Sequence, residues 1–493
     1  MLSCGFDVGS SSVKCAILDT ETGRTVAHGS MPAEEMPISA PRPGWAEQDP
    51  ELWWSYVAAL SRRLMKENRL DPARVGAVGV SYQMHGLVLV DARQKVLRPS
   101  IIWCDSRAVE AGRKAFEALG AEFCLSHLLN SPGNFTAAKL RWVREHEPEL
   151  FAKIHKAMLP GDFIAMKLTG EISTTVSGLS EGIYWDFRNQ AVSRELLAQM
   201  EIDERLLPEV RPTFAVQGRL TAAAAEELGL TAGTPVSYRA GDQPNNAFSL
   251  NVLEPGEAAA TAGTSGVVYG VLDRVAYDPA SRVNPFAHVN HSSEHPRLGV
   301  LLCINGTGIL NSWLRRNVAA GMSYAEMNSA AAGVGAGSDG LTVIPFGNGA
   351  ERILENRNTG CRIEGADFNR HSRAHLLRAS QEGIAFAFRY GMDIMLSMGM
   401  EIRTVRAGHA NMFLSPVFRE TLAGVTGATI QLYDTDGAQG AARGAAVGAG
   451  AYTSFPEAFR SLTKIDEVRP ETRLQPALAE AYGRWKRVVQ QES

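Results

Sequence analysis

One phrase is written twice in this chain, half a length apart. Residues 6–19 read FDVGSSSVKCAILD and residues 260–273 read ATAGTSGVVYGVLD. At an offset of 254, Gly9 aligns with Gly263, Ser10 with Thr264, Ser11 with Ser265, Val13 with Val267, Leu18 with Leu272 and Asp19 with Asp273. In each copy, β-branched and apolar residues flank a Gly-Ser/Thr step, the pattern of a β-hairpin with a tight turn. A concave turn lined by N–H groups and hydroxyls suits an anion such as phosphate. A lone Gly-Ser turn is usually a plain hairpin. Repetition at this distance reports architecture instead. It predicts two domains of similar design that grip one polyphosphate between them.

The remaining pattern alternates strands with helices, which predicts layered α/β domains. Asp49 reads as a helix N-cap with Pro50 in the first helical position, followed by Trp53, Tyr56, Val57, Leu60 and Leu64 at helical spacing. Strands at Val75–Ser81 and Leu87–Asp91 bracket the turn Gln83-Met84-His85-Gly86, and helices follow at 136–147 and 221–229. A second series contains strands at Val300–Ile304, Leu341–Phe346, Thr404–Ala407 and Thr429–Tyr433, with helices at 373–399, 415–426 and 437–452. Pro244, Pro255 and Gly256 place a boundary near 243–256, giving domains 1–247 and 248–493. No low-complexity linker separates them, so a hinge rather than a tether is expected.

Composition narrows the class. The 493 residues are 45% hydrophobic and 21% charged, enough for sizeable cores. A net charge of −4 lacks the basic excess of a nucleic-acid binder. An anionic ligand would therefore rest on backbone N–H groups, a few cations and a metal. The six cysteines, Cys4, Cys15, Cys104, Cys124, Cys303 and Cys361, form no CxxC pair, which argues against zinc and a disulfide framework. They read mostly as buried thiols in a reducing compartment. No signal peptide and no run of 18 apolar residues is seen, so no membrane span is expected and a cytoplasmic location follows.

Several residues carry candidate chemistry. Asp7 precedes the first turn and suits Mg²⁺, directly or through water. Lys14 reaches either a phosphate or solvent. Asp242, in Ala240-Gly241-Asp242-Gln243-Pro244-Asn245-Asn246, joins a strand to a helix and is either a helix N-cap or the base that deprotonates an alcohol for phosphoryl transfer. Met84 and His85 suit a sugar, thioether against carbon and imidazole to hydroxyl, unless the histidine merely satisfies its turn. In Trp103-Cys104-Asp105-Ser106-Arg107, Asp105 either pairs with Arg107 or meets a ligand. Gly440, Gly444 and Gly448 leave one smooth helix face, for close packing on a sheet or for a nucleotide.

From about residue 4 to 455 the chain resembles the FGGY carbohydrate kinases, and among them the xylulokinases. The resemblance rests on FDVGSSSVK, PGWAEQDPELWW, QMHG, VLRPSIIWCDSR, FTAAKLRWVREHEPELF, AGDQPNNA and AGTSG. Glycerol kinases carry an Arg-Glu pair at the QMHG turn, whereas Met84-His85 is similar to the pentulose kinases. The resemblance implies two actin-like, ribonuclease-H-like domains with a central cleft for ATP and sugar. It implies ATP-dependent phosphorylation of a ketose, D-xylulose to D-xylulose 5-phosphate, with another FGGY-type substrate (gluconate, ribulose or a polyol) or a catalytically impaired sugar–nucleotide regulator as alternatives. Asp242 would be the base and Asp7 the phosphate-turn aspartate with Mg²⁺ through water. Gln83, Met84, His85, Trp103 and Asp105 would bind sugar. Gly9, Ser10, Ser11, Ser12, Lys14, Gly263, Thr264, Ser265, Gly408 and Asn411 would bind nucleotide. A homodimer is implied, with no nucleic-acid or membrane partner. The chain departs from the family at Arg406-Ala407-Gly408-His409-Ala410-Asn411, where only Gly408 keeps a glycine position, at Gln243, and at Glu351-Arg352-Ile353-Leu354. These departures bear on the purine site and the sugar.

Overall fold

The computed structural model describes residues 1–491. The chain forms two compact units. The first comprises residues 1–251, 286–298 and 435–462, and the second comprises 252–285, 299–434 and 463 onward. The boundary expected near 243–256 marks where the chain first leaves the first unit; it returns there twice.

The first unit is built on β1 (Leu2–Val8), β2 (Val13–Asp19), β3 (Thr25–Met31), β4 (Val75–Tyr82), β5 (Phe214–Arg219) and β6 (Pro235–Gly241), in the order β5-β6-β4-β1-β2-β3. Strands β1, β4 and β6 run parallel, and β2, β3 and β5 complete the sheet antiparallel. Helix α1 (Pro50–Glu67) begins as read, with Asp49 accepting the Glu51 N–H and Pro50 in the first turn. It packs Trp53, Val57, Leu60 and Leu64 into the core with Phe6, Val8 and Val13. Helices α2 (Thr136–His146), α3 (Pro160–Thr169), α4 (Val176–Glu181) and α5 (Asp242–Ser249) complete the part that concerns the site.

In the second unit, six strands of a seven-stranded sheet, β7 (Gly256–Ala262), β8 (Gly266–Leu272), β9 (Leu298–Ile304), β10 (Ile402–Gly408), β11 (Thr429–Tyr433) and β12 (Lys464–Val468), lie in the order β9-β8-β7-β10-β11-β12. Again a hairpin, β7 with β8, leads to two parallel neighbours and an antiparallel edge. Helix α6 (Gly308–Asn317) follows β9, and the 25-residue α7 (Arg373–Ser397) supplies Ile384, Phe388, Met392 and Met395 to the core.

The repeat thus reports a duplicated sheet plan, but its letters mislead by one residue. The first turn spans Gly9–Ser12 and the second only 263–265. Strand pairing sets Asp7 opposite Lys14 and Thr261 opposite Val267. The counterpart of Lys14 is therefore Val267, although the sequence match gives that place to Val13. A one-residue slip exchanges the faces of a strand, and Val13 is buried whereas Val267 is half-exposed.

Helix α8 (Gly437–Gly448) packs in the first unit. A Cβ on Gly440 would fall 2.6 Å from Ser249 Cβ, on Gly444 2.6 Å from the Tyr238 ring, and on Gly448 1.9 Å from Ser237 O. The strands reciprocate, since a Cβ on Gly5 would meet Ala442 N at 2.1 Å. Ser3 and Ser237 hydroxyls donate to the Ala442 and Ala445 carbonyls, each at 2.7 Å. Of the two readings of the glycine face, close packing is the one observed. Fewer thiols are buried than expected: Cys4, Cys15 and Cys124 are, while Cys303 is intermediate and Cys104 and Cys361 are exposed.

Candidate active site

Val8, Tyr82 and Gly241 stand level at the carboxyl ends of three adjacent parallel strands. The segments leaving those ends are the Gly9–Ser12 turn, the Gln83–Gly86 turn and Asp242. Ligands of open α/β sheets bind at this end of the strands, so the topology alone gathers the candidates of the first unit.

Asp242 is not an N-cap. Gly241 holds that position, and Asp242 is the first residue of α5. Its carboxyl is pushed up to about 7, chiefly by burial and next by the Asp7 carboxylate, against the pull of Gln243. A carboxyl poised there can accept a proton at neutral pH. Asp7 is raised by burial as well; Lys14 and the Ser81 hydroxyl offset this, and Asp436 adds to it. Lys14 Nζ is 3.9 Å from Asp7 Oδ2, and Ser81 donates to Asp7 Oδ1 at 2.8 Å. A Cβ on Gly437 would reach 2.5 Å from Asp7 Oδ2, so glycine lets the carboxylate lie against the start of α8. Asp436 caps α8, accepting the Gln439 N–H at 2.9 Å, and its other oxygen bonds His28 Nε2 at 2.7 Å.

The first turn is held from several sides. Gly9 N–H donates to Ser12 O at 3.0 Å, so this donor is spent within the turn. Gln48 Nε2 donates to Ser10 O at 2.7 Å, and the half-exposed Trp103 donates to Ser10 Oγ at 3.4 Å. Ser11 is exposed, and Ser12 and Lys14 are partly so.

In the sugar-turn candidate, Gln83 is buried, donating its backbone N–H to Val8 O at 2.9 Å and its amide to Gln48 Oε1 at 3.1 Å. It joins the two turns rather than facing outward. His85 has φ 62. Its Nδ1 is 2.9 Å from Glu181 O, and its ring packs on Phe135 and Phe286 at 4.7 and 5.4 Å. A Cβ on Gly241 would strike Glu181 Oε2 at 2.4 Å and Met84 Cγ at 2.6 Å, so the residue before Asp242 presses on both. Asp105 is fully buried, and its Oδ2 takes the Ala46 N–H at 2.5 Å and the Arg107 guanidinium at 2.7 Å, while Oδ1 takes the Arg107 N–H at 2.9 Å. Arg107 lies 3.7 Å over the Trp45 ring. Of the two partners the sequence offered Asp105, the structure shows Arg107.

In the second unit, Gly263, Thr264 and Asn411 line a cavity of about 520 Å³ with Gly308, Ile309, Ser312, Tyr324 and Asn328; Ser265 and Gly408 do not line it. The turn and α6 are coupled, because Gly308 and Ile309 N–H groups donate to Gly263 and Thr264 carbonyls at 3.0 Å. Arg406, a departure from the family glycines, turns to Glu257 at 2.6 Å and leaves the cavity clear. Glu351 accepts the Asn305 and Gly306 N–H groups at 3.0 and 2.7 Å, bracing the approach to α6. Sequence reasoning missed Gln48, Lys139, Glu181 and Asp436. Only Asp436 carried a local signal, an N-cap residue before a Gly/Ala-rich helix.

The chain matches the FGGY family of carbohydrate kinases, N-terminal domain, over residues 2–249, and the C-terminal domain over 258–452. It belongs to the FGGY family of carbohydrate kinases. It is 30% identical to the xylulose kinase of Escherichia coli (strain K12), over 90% of this chain and 88% of that one. The crystal structure of xylulose kinase from Rhodospirillum rubrum superposes with a TM-score of 0.89 at 27% identity, covering 99% of this chain and 98% of that one. Gluconate kinase from Lactobacillus acidophilus shares the fold, with a TM-score of 0.89 at 20% identity, covering 99% and 97% of the two chains. The duplicated α/β plan is the actin-like ATPase fold, and the chain is a carbohydrate kinase that uses ATP. Among the described residues, no helix is long and apolar enough to cross a membrane.

Proposed function

We propose that this kinase phosphorylates a ketose, D-xylulose first, on its terminal hydroxyl. The reading rests on one observation: Asp242, the Met84–His85 turn and the Gly9–Ser12 turn leave the same end of three neighbouring strands. Met84 and His85 hold the sugar, Met84 against carbon and His85 toward a hydroxyl. Asp242 accepts the proton of the attacking hydroxyl. The first turn with Lys14 meets the transferred phosphate, and the cavity at Gly263, Thr264 and Asn411 receives the nucleotide. Catalysis of this kind is largely positioning and charge stabilisation. Asp7 offers a hard carboxylate oxygen, and Asp436 and Asp242 bear on it electrostatically. No group of three or more metal-binding side chains forms among the described residues. That donor set suits Mg²⁺ held through water at Asp7, where it would neutralise phosphate charge.

ADP release measured against pentuloses, hexuloses, aldonates and glycerol tests the reading. Turnover is expected to be greatest with D-xylulose. Preference for gluconate or glycerol would replace the ketose while leaving the kinase. A homodimer and a cytoplasmic location belong to the same reading, and sedimentation and cell fractionation check them.

A further inference from the structure

We propose that Lys139 is a positioning residue of the acceptor site, holding the His85 backbone at its carbonyl while Glu181 holds it at its N–H. The inference rests on the reading of Met84–His85 as the sugar turn. Lys139 lies on α2 with no exposed surface, and its Nζ donates to His85 O at 2.8 Å. From α4, Glu181 Oε1 accepts the His85 N–H at 3.4 Å, and the Glu181 carbonyl meets the ring Nδ1 at 2.9 Å. Both backbone polar groups of one residue, in the two peptide units that flank its Cα, and the ring it carries are thus tied to two helices. A histidine in the left-handed region persists only where its surroundings over-determine it, and these contacts do so. Glu181 also abuts Gly241, so the same clamp sets the turn against the strand that delivers Asp242. A buried ammonium is costly unless it has an acceptor, and the acceptor here is this carbonyl.

Lys139 faces Asp105, Cys104 and Arg107 from the loop after Ile101, and Glu181 from α4. Burial outweighs the attraction of the acidic groups and brings the ammonium down to about 7. The stronger, charged form of the bond is therefore present below that pH and lost above it.

Lys139→Met removes the donor at similar length. The expected result is a sugar KM raised about tenfold or more, the cost of a charged hydrogen bond, with the ATP KM within about twofold. Amide exchange of residues 83–87 should rise by a similar factor at fixed pH. In the unaltered enzyme the sugar KM should climb between about pH 6 and pH 8 as Lys139 loses its proton, and this climb should vanish in Lys139→Met. An unchanged sugar KM together with unchanged exchange overturns the proposal. If the variant does not fold, amide exchange of residues 83–87 in the unaltered enzyme decides, and exchange as fast as in the exposed loops overturns the proposal. If no sugar in the panel is phosphorylated, the ketose reading fails, and amide exchange still decides the clamp.

Discussion

The β1–β2 hairpin turns through Gly9–Ser12, and the β7–β8 hairpin through the shorter 263–265. Both start a sheet of the same strand order, and both place a Gly-Ser/Thr turn at the carboxyl end of the first strand. They differ in what stands before the turn. One carries the cross-strand pair Asp7–Lys14, and the other carries Thr261–Val267. The charged hairpin neighbours Asp242, whose proton affinity it raises. The neutral hairpin is instead built into an open cavity through its carbonyl bonds to α6. In the proposed function the shared backbone shape offers each copy a place for phosphate, and the charges assign the reacting end to the first.

The largest effect should come from Asp242→Asn. Loss of the base is expected to lower kcat by a factor on the order of 10²–10⁴, while nucleotide binding, titrated with ADP by calorimetry, persists. Asp242 also predicts a stability change of opposite sense. Its folded pKa of about 7 lies above the ordinary carboxylate value, so the folded state binds more protons in between. Stability therefore falls as pH rises through that window. Asp242→Asn should melt higher than the parent at about pH 8, and a lower melting temperature would contradict the buried-charge account.

Exchanging the hairpins' residues sharpens the comparison next. Asp7→Thr gives the first hairpin the second one's residue and should cost on the order of 10²–10³ in kcat. Thr261→Asp should gain nothing and weaken ATP binding, because a carboxylate repels phosphate. Equal losses from the two exchanges would erase the proposed division. A subtler effect concerns pH. The rate should rise with a midpoint near 7 as Asp242 ionises. Asp7→Thr removes the like charge beside it, so the residual activity should show that midpoint moved to lower pH. The smallest effect is expected from Lys14→Val, a change of roughly 3–10-fold in the ATP KM with little change in the sugar KM.

Much of this was legible locally. Asp49-Pro50, the strand runs around Gln83–Gly86 and the glycine stripe of α8 are short-range patterns, and each element formed where its pattern lay. Roles set by distant packing were not legible. Lys139 lies in the helix expected at 136–147, and only the fold brings it to a carbonyl 54 positions earlier. The sequence marks the segment at Arg406 only as a departure from the family, and the pairing of Arg406 with Glu257, 149 residues away, is visible only in the fold. The hairpin repeat failed in register because matching letters ignore turn length, whereas strand pairing depends on it. Asp105 could be assigned either way from the sequence, and the fold shows it paired with the buried Arg107.

Helix α8 has a consequence for the newborn chain. The glycines of β1 and β4 leave room for it, yet it is made long after the strands it covers. At roughly 5–20 residues per second, the sheet begun by residue 2 waits many seconds after Gly241 emerges before its covering arrives. Until then one face of apolar strand is bare, and a protein truncated before Thr435 would keep it bare permanently. The first unit is thus completed only when residues 435–462 join strands made about 200 residues earlier.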